Sequence, residues 1–360
     1  MDFTPDPAQQ AVADVVTSVL SRETTWDALV AGGVTALPAP ERLGGDGVGL
    51  AEVATALTEI GRHGCVGPAL ATLGLGAVPL LELASEVQQD RYLAGLAKGS
   101  LLTAALNEPG AALPDRPTTR IAGNRLSGTK VGVAYAEHAD WMIVTADGGV
   151  VVVSPGADGV ALTKTPASNG SDEYVVTFTE AAVDGVLEGA SAHRVNQLAL
   201  AFVGAYAAGL VAGALRLTAD YVANRHQFGK PLSTFQTVAA QLAEVYIASR
   251  TIDLASRSVI WRLAQGYAGD HVADGDLGVL GYWITSQAPP AMQICHHLHG
   301  GMGMDVTYPM HRYYSTIKDL IRLLGGPSHR LDLAAIASAA EPGVAGRRPE
   351  NQLGAQCSST

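Results

Sequence analysis

Apolar positions along the chain fall into three regimes. Residues 7–22 and 49–63 repeat apolar side chains every three to four positions, the spacing of amphipathic helices. The stretch LPAPERLGGDGVG at 37–49 reads as loop between them, and helical text resumes as far as about residue 98. From about residue 101 to 190 the period shortens to two. There RLSGTKVGVAYAEHADWMIVTADGGVVVVSPGADGVALTK alternates β-branched runs with glycine turns, as consecutive strands do. Helical spacing returns from Val195 to about Ala340, with long helices expected over 195–224, 234–265 and 275–299. The last twenty residues, EPGVAGRRPENQLGAQCSST, carry no period and read as a disordered tail over 341–360.

This order predicts an α+β chain: a helical domain over 1–100, a β-domain over 101–190 and a helical bundle over 191–340. Helices, then strands, then helices, without alternating βαβ units, argue against a Rossmann fold. The run LALAFVGAYAAGLVAGALRLTADY (198–221) is apolar enough for a membrane span. Its glycines and alanines, with Arg216 and Asp220 at its end, instead suit a helix buried in a bundle. Near the end of the chain, DLIRLLGGPSHRLDLA (319–334) breaks a helical pattern. Leu320, Leu323 and Leu324 sit at helical spacing, Gly325 and Gly326 end that helix, and Ser328 is placed to cap the next.

Composition narrows the function classes. With 48% hydrophobic and 16% charged residues, 360 residues bury a large core. A net charge of −11 argues against nucleic-acid partners and anionic membranes. Cys65, Cys295 and Cys357 are scattered and odd in number, which suits a reducing cytoplasm. The acidic, polar start MDFTPDPAQQ does not read as a signal peptide.

Several apparent motifs fail. GNRLSGTK (123–130) puts Lys130 after Thr129, where a phosphate loop needs lysine before Ser/Thr, and it lies between strands; it reads as a strand turn. The spaced glycines Gly74 and Gly76 lack a third glycine and a preceding strand, and read as packing or loop. In CHHLHGG (295–301) His296 and His299 could share a helix face, but no third metal ligand stands at recognisable spacing. No Gly-x-Ser-x-Gly elbow is present, and Cys295 reads as buried.

Three stretches combine better. YVANRHQFGKPLSTFQTVAAQLAEV (221–245) sets Arg225 at a helix end, then Gln227-Phe228-Gly229, then a new helix opening near Phe235-Gln236. An arginine, amides and aromatics at such a junction can grip a pyrophosphate and cover a planar ring; a capped helix–helix turn is the plainer reading. HHLHGGMGMDVTYPMHRYYSTIKDL adds a glycine-rich helix end that a ligand can approach closely. LNEPGAALPD, followed by the strand-rich text, is the third.

In these motifs the chain resembles the flavin-dependent acyl-CoA dehydrogenase family. Arg-x-Gln-Phe-Gly-Lys-Pro followed by Phe-Gln, then His-Gly-Gly-x-Gly and Tyr-Pro, carry the likeness, which runs from PERLGGDGVGLAEVATALTEIG to about residue 335. The resemblance implies a helical N-terminal domain, a β-domain and a C-terminal four-helix bundle that builds a tetramer. It implies α,β-desaturation of an acyl-CoA, in which a carboxylate takes the α-proton and FAD takes the β-hydride.

The departures cluster in one place. The family's catalytic Glu aligns with Gly325, and its alternative location with Ala199. A substrate-holding arginine becomes Leu200, an aspartate of the same pocket Gln197, and the flavin-facing Trp-Ile-Thr reads Gly132 to Ala134. Thr-Glu-Pro-Gly-Ala-Gly-Ser-Asp survives only as NEPGAALPD. Losing a base costs about two to four orders of magnitude in rate. In the family, the motifs kept here reach across a dimer to the neighbour's FAD: Arg225, Gln227, Phe228, Phe235, Gln236, His297 (where Gln is usual), Gly300 and Gly301.

The pattern resembles the small, base-less subunit of heteromeric acyl-CoA dehydrogenases of actinobacterial steroid catabolism. Those are α2β2 tetramers with two FAD per four chains, in which a catalytic subunit holds most of the acyl-CoA. Within that group the likeness points to the three-carbon side chain of a cholesterol-derived CoA thioester (3-oxo-bisnorcholenoyl-CoA type), with an electron-transfer flavoprotein or similar acceptor. Two alternatives stay open: a self-sufficient homotetramer with a relocated base, Glu244 or Asp319, each also readable as a solvated helix face, and a non-catalytic assembly protein.

Overall fold

The computed structural model describes residues 3–266 and 271–339; the expected disordered tail lies outside them. Helix α1 (Pro7–Leu20) starts at a capping box in which Asp6 accepts from the Gln9 backbone and the Gln9 side chain reaches back. The short α2 (Trp26–Ala31) and the amphipathic α3 (Leu50–Arg62) follow. Residues Leu70–Ala77 then form a wholly buried π-helical stretch. Its Gly74 and Gly76 serve packing, since a Cβ there would stand 2.9 Å from the Phe202 side chain or 2.4 Å from that of Leu102. Helices α4 (Val78–Leu83) and α5 (Glu86–Tyr92) complete this part.

The β-region holds two four-stranded sheets. Strands β1 (Leu102–Ala105), β4 (Trp141–Ala146), β5 (Gly149–Val153) and β8 (Gly185–Leu187) pair in the order β1-β4-β5-β8. Strands β2 (Arg120–Ala122), β3 (Arg125–Ala134), β6 (Val160–Pro166) and β7 (Asp172–Ala182) pair in the order β2-β3-β7-β6. Leu126, Val144, Val151, Tyr174, Val176 and Phe178 form the core between them. GNRLSGTK is a hairpin: Ala122 pairs with Arg125 across a Gly123-Asn124 turn, so the strand-turn reading stands.

Helix α6 (Ala192–Asn224) is long and apolar enough to cross a membrane, yet 89% of its most apolar window is buried inside the protein. Glycines make that burial possible. A Cβ on Gly209 would lie 1.9 Å from the Thr58 carbonyl oxygen, and one on Gly213 2.2 Å from that of Arg62, so α3 rests directly on the α6 backbone. Strands β9 (His226–Gln227) and β10 (Lys230–Pro231) form a small hairpin. Helices α7 (Gln236–Ala264), α8 (His271–His299), α9 (Met310–Leu323) and α10 (Gly326–Ala339) build the rest of the bundle with α6.

One capping expectation is corrected. Gly325 adopts φ +83° and ends α9, but the chain re-enters helix at Gly326, so Ser328 lies inside the first turn of α10 rather than capping it.

Candidate functional site

The α6–α7 connection sets its side chains outward. Arg225 ends α6, its N–H donating to the Tyr221 carbonyl at 2.8 Å. At the hairpin tip Phe228 (φ +52°) and Gly229 (φ +78°) both take left-handed backbone, the geometry of a type I′ turn. A phenylalanine there is strained by about 1–2 kcal/mol, and Phe228 is 90% exposed, so no burial offsets that strain. Its ring meets Phe235 edge-on at 6.2 Å, and Lys230 Nζ stands 4.3 Å above the Phe235 ring. Strain held at an exposed aromatic points to a role outside the chain's own packing.

The end of α8 lies beside it. Tyr221, one turn before Arg225, stacks on His299 at 4.6 Å. His299 is buried, its Nδ1–H donating to the Cys295 carbonyl at 2.7 Å and its Nε2 accepting from the Tyr308 hydroxyl at 3.0 Å. Both ring nitrogens are thus used in holding two helix ends together, and burial pushes the His299 pKa down. His296 turns to Met304 and Tyr314 instead, so the two histidines share no ligand. Among the described residues Arg225, Gln227, Gln236 and His297 have no side-chain hydrogen-bond or ion-pair partner. The Tyr221–His299 stack ties the end of α6, before Arg225, to the end of α8, which carries His297 and leads into Gly300 and Gly301. A Cβ on Gly301 would meet nothing within 4 Å, so the chain's own packing does not require glycine there.

On the inner side, the loop NEPGAALPD fills the α9–α10 break. Asn107 Nδ2 donates to the Leu323 carbonyl at 2.8 Å, and its Oδ1 accepts from the Leu113 N–H at 2.8 Å. Arg330 Nε donates to the Leu324 carbonyl at 2.7 Å, and His329 Nε2–H to that of Ala112 at 3.2 Å. Side chains therefore satisfy the last carbonyls of α9, which the helix leaves unpaired. A Cβ on Gly325 would stand 2.6 Å from His329 and 2.8 Å from the Ala112 side chain. Leu200 and Ala199 are buried apolar core. Gln197 is tied to His193 and Asp274, at 3.1 and 2.6 Å.

The loop itself is anchored by a buried ion pair, Lys130 Nζ to Glu108 Oε1 at 3.0 Å. Burial alone would raise the Glu108 pKa, but N–H and O–H bonds from Thr118 and Thr119 outweigh it and hold the carboxyl at about 2. Burial pushes Lys130 down to about 8. Lys130 also donates to the Leu106 carbonyl and to Thr145.

Between β7 and α9 lies a cavity of about 310 Å³ lined by Gly132, Glu173, Asp319 and Arg322. Gly132 (φ +68°) sits at an irregularity in β3. Arg322 crosses this space to pair both carboxylate oxygens of Glu173, at 2.5 and 2.7 Å. Asp319 accepts from the Ser168 and Asn169 N–H groups, each at 2.9 Å, and from Arg322. It is therefore no solvated helix face: it holds a loop, with its side chain 12% exposed. Glu244 stands exposed on α7.

Known proteins bear on this geometry. Residues 5–100 match the model of the acyl-CoA dehydrogenase N-terminal domain, and 195–339 that of the C-terminal domain. Acyl-CoA dehydrogenase FadE28 of Mycobacterium tuberculosis is 78% identical over 335 residues, 92% of this chain and 98% of that protein. The chain belongs to the acyl-CoA dehydrogenase family.

Two solved structures share the fold over almost the full length. The ChsE4–ChsE5 complex of Mycobacterium tuberculosis superposes with TM-score 0.85 at 27% identity, over 95% of this chain and all of the matched one. The G363A variant of the Tcur3481–Tcur3483 steroid enzyme gives 0.82 at 30%, over 92% and 97%. In this acyl-CoA dehydrogenase chain, sequence reasoning missed the Glu108–Lys130 pair, the Arg322–Glu173 bridge and the strain at Phe228. A signal existed for the first: Lys130 lies four residues from the inward Leu126 on one strand, which turns both to the same face.

Proposed function

We propose that this chain is the base-less subunit of a heteromeric, FAD-dependent acyl-CoA dehydrogenase, completing the FAD site of a catalytic partner in an α2β2 assembly. One contrast carries the reading: the inner side is packed at Gly325 and bridged beside Gly132, while side chains on the outer face are left unpaired among the described residues. At Gly325 a left-handed glycine is packed against Ala112 and His329, leaving no carboxylate to take an α-proton and no space for one. The Arg322–Glu173 pair spans the groove beside Gly132, where relatives face their own flavin.

Facing outward, Arg225 carries a guanidinium suited to a pyrophosphate, and Gln227 and Gln236 carry amides suited to a polar ring edge, all unpaired among the described residues. Phe228 and Phe235 supply an aromatic wall, and Gly300 and Gly301 let backbone approach closely, with His297 beside them. These residues fit FAD held mainly by a neighbour; their work is binding, orientation and exclusion of water. FAD when bound supplies the oxidant for α,β-desaturation, the electrons passing to an electron-transfer flavoprotein or similar acceptor. The likeness to a steroid enzyme at 30% identity supports a steroid side-chain CoA thioester as substrate. The three-carbon, cholesterol-derived side chain and a cytoplasmic setting are carried by the sequence resemblance and the scattered cysteines.

Co-expression with a catalytic acyl-CoA dehydrogenase subunit, followed by flavin quantification, tests this. The expected result is about half a flavin per chain, as in two FAD per four chains. The chain alone should carry little flavin and no activity, and Arg225→Ala should lower the flavin content of the complex. An active homotetramer of this chain with one FAD per subunit would overturn the proposal. In that event Glu244→Gln and Asp319→Asn would locate the base.

A further inference from the structure

A second feature of the α6–α7 pair concerns charge. Between these helices and the end of α3 is a groove of about 240 Å³ whose lining includes Arg62, Arg216, Arg250 and Arg257. Glu59 pairs with Arg62, and Asp253 with both Arg250 and Arg257. Four arginines against two carboxylates leave the groove positive, in a chain whose net charge is −11. Arg257 is held on two sides, since besides Asp253 it also donates to the Phe3 carbonyl at 3.0 Å. Arg216 is exposed and, among the described residues, has no hydrogen-bond or ion-pair partner; Arg250 is exposed with only one terminal nitrogen bonded. The floor is small (Ala208, Ala212), and Tyr246, 56% exposed, forms one wall.

Position gives the groove an occupant. Arg216 precedes Arg225 by nine residues on α6, and Tyr246 follows Phe235 by eleven on α7. At 1.5 Å per helical residue the groove lies about 15 Å behind the hairpin tip. The intervening start of α7, residues 236–244, contains no buried residue. If the tip reaches the partner's flavin, the same helix pair lays this flank beside the partner's surface. Self-pairing about a two-fold axis through this face would set arginines against arginines.

We propose that the arginine-lined groove receives a carboxylate-bearing segment of the catalytic partner, and that this charge match favours the heteromer over a pair of identical chains. The inference rests on the base-less-subunit reading and adds where the partner is gripped. Arg216 and Arg250 are outside the flavin-facing group, and their exposure lets the isolated double variant Arg216→Glu/Arg250→Glu keep its circular dichroism and Tm.

The test is the association rate of purified chain and catalytic subunit as a function of salt. Charge reversal should slow assembly by about tenfold or more at about 50 mM salt, and the gap should close at high salt. Arg216→Lys/Arg250→Lys should assemble nearly as the wild type does. Unchanged rates, or a loss independent of salt, would overturn the proposal while leaving the subunit reading intact. Binding of inorganic pyrophosphate to the isolated chain, abolished by the reversal while assembly is unaffected, would assign the groove to a small anion and also overturn it. If the wild-type chain forms no complex with a catalytic subunit, the subunit reading fails and this inference with it.

Discussion

Ala112 closes over Gly325: a Cβ built on Gly325 would stand 2.8 Å from the Ala112 Cβ, at a backbone φ of +83°. The two residues come from elements more than two hundred positions apart, yet they decide what the α9–α10 break can do. A glutamate here needs both a left-handed side-chain-bearing residue and a displaced loop. Gly325→Ala should therefore destabilise the chain by about 1–3 kcal/mol, read from denaturant unfolding. Gly325→Glu should lose at least as much and gain no dehydrogenase activity. Activity appearing in the isolated Gly325→Glu chain would show that a usable pocket remains.

The hairpin tip makes an opposite trade. Phe228 is strained and almost fully exposed, so Phe228→Asn, which tolerates left-handed backbone, should stabilise the isolated chain by about 0.5–1 kcal/mol. The same substitution should lower the flavin retained by the co-expressed complex. A variant that is more stable and equally rich in flavin would remove Phe228 from the flavin-facing group.

Glu108 and Lys130 are both buried, so removing one partner strands the other. Glu108→Gln should cost about 3–5 kcal/mol in unfolding free energy. The double variant Glu108→Gln/Lys130→Met should recover much of that loss, because no charge is then left uncompensated. If the single variant unfolds like the wild type, the pair does not anchor the loop.

His193 links three elements through one imidazole, with Asp115 of the loop 3.3 Å from Nδ1 and Asp274 of α8 3.2 Å from Nε2. Gln197 faces the same nitrogen; the neighbouring Arg194 is paired with Glu82, and buried Arg330 acts on Asp115 from α10. The hydrogen bond to Asp115, and then the two carboxylate charges, raise the His193 pKa above its ordinary value despite partial burial. A raised folded pKa means stabilisation that is complete below the unfolded value and is lost as pH rises through the folded one. The Tm advantage of wild type over His193→Gln should be largest near pH 6 and shrink toward about pH 9. A constant difference across that range would exclude the ion pairs as its source.

Legibility differed by element for physical reasons. The shift from a 3.6-residue to a two-residue period located the strands between Leu102 and Leu187, because alternation follows from the pleat itself. The glycines of α6 marked it as a bundle helix because only close backbone contact rewards them, as at Gly209. Ser328 misled because capping depends on where the preceding glycine turns the chain, a matter of two residues. Arg216 read only as a charge at the end of an apolar run and Arg250 carried no signal, since nothing local says that two separate helices bring them to one groove.

By itself the sequence determined the elements and the motifs that carry the family likeness, since both are set by local spacing and residue type. Only tertiary structure decided what fills the pocket and what stays outside. Asn107, Ala112 and Glu173 meet Leu323, Gly325 and Arg322 across long separations, and such contacts have no periodic trace in the chain. Packing alone reveals that, among the described residues, Arg225, Gln227 and Gln236 have no side-chain hydrogen-bond or ion-pair partner. An unpaired side chain is a property of its neighbours, not of its own place in the sequence.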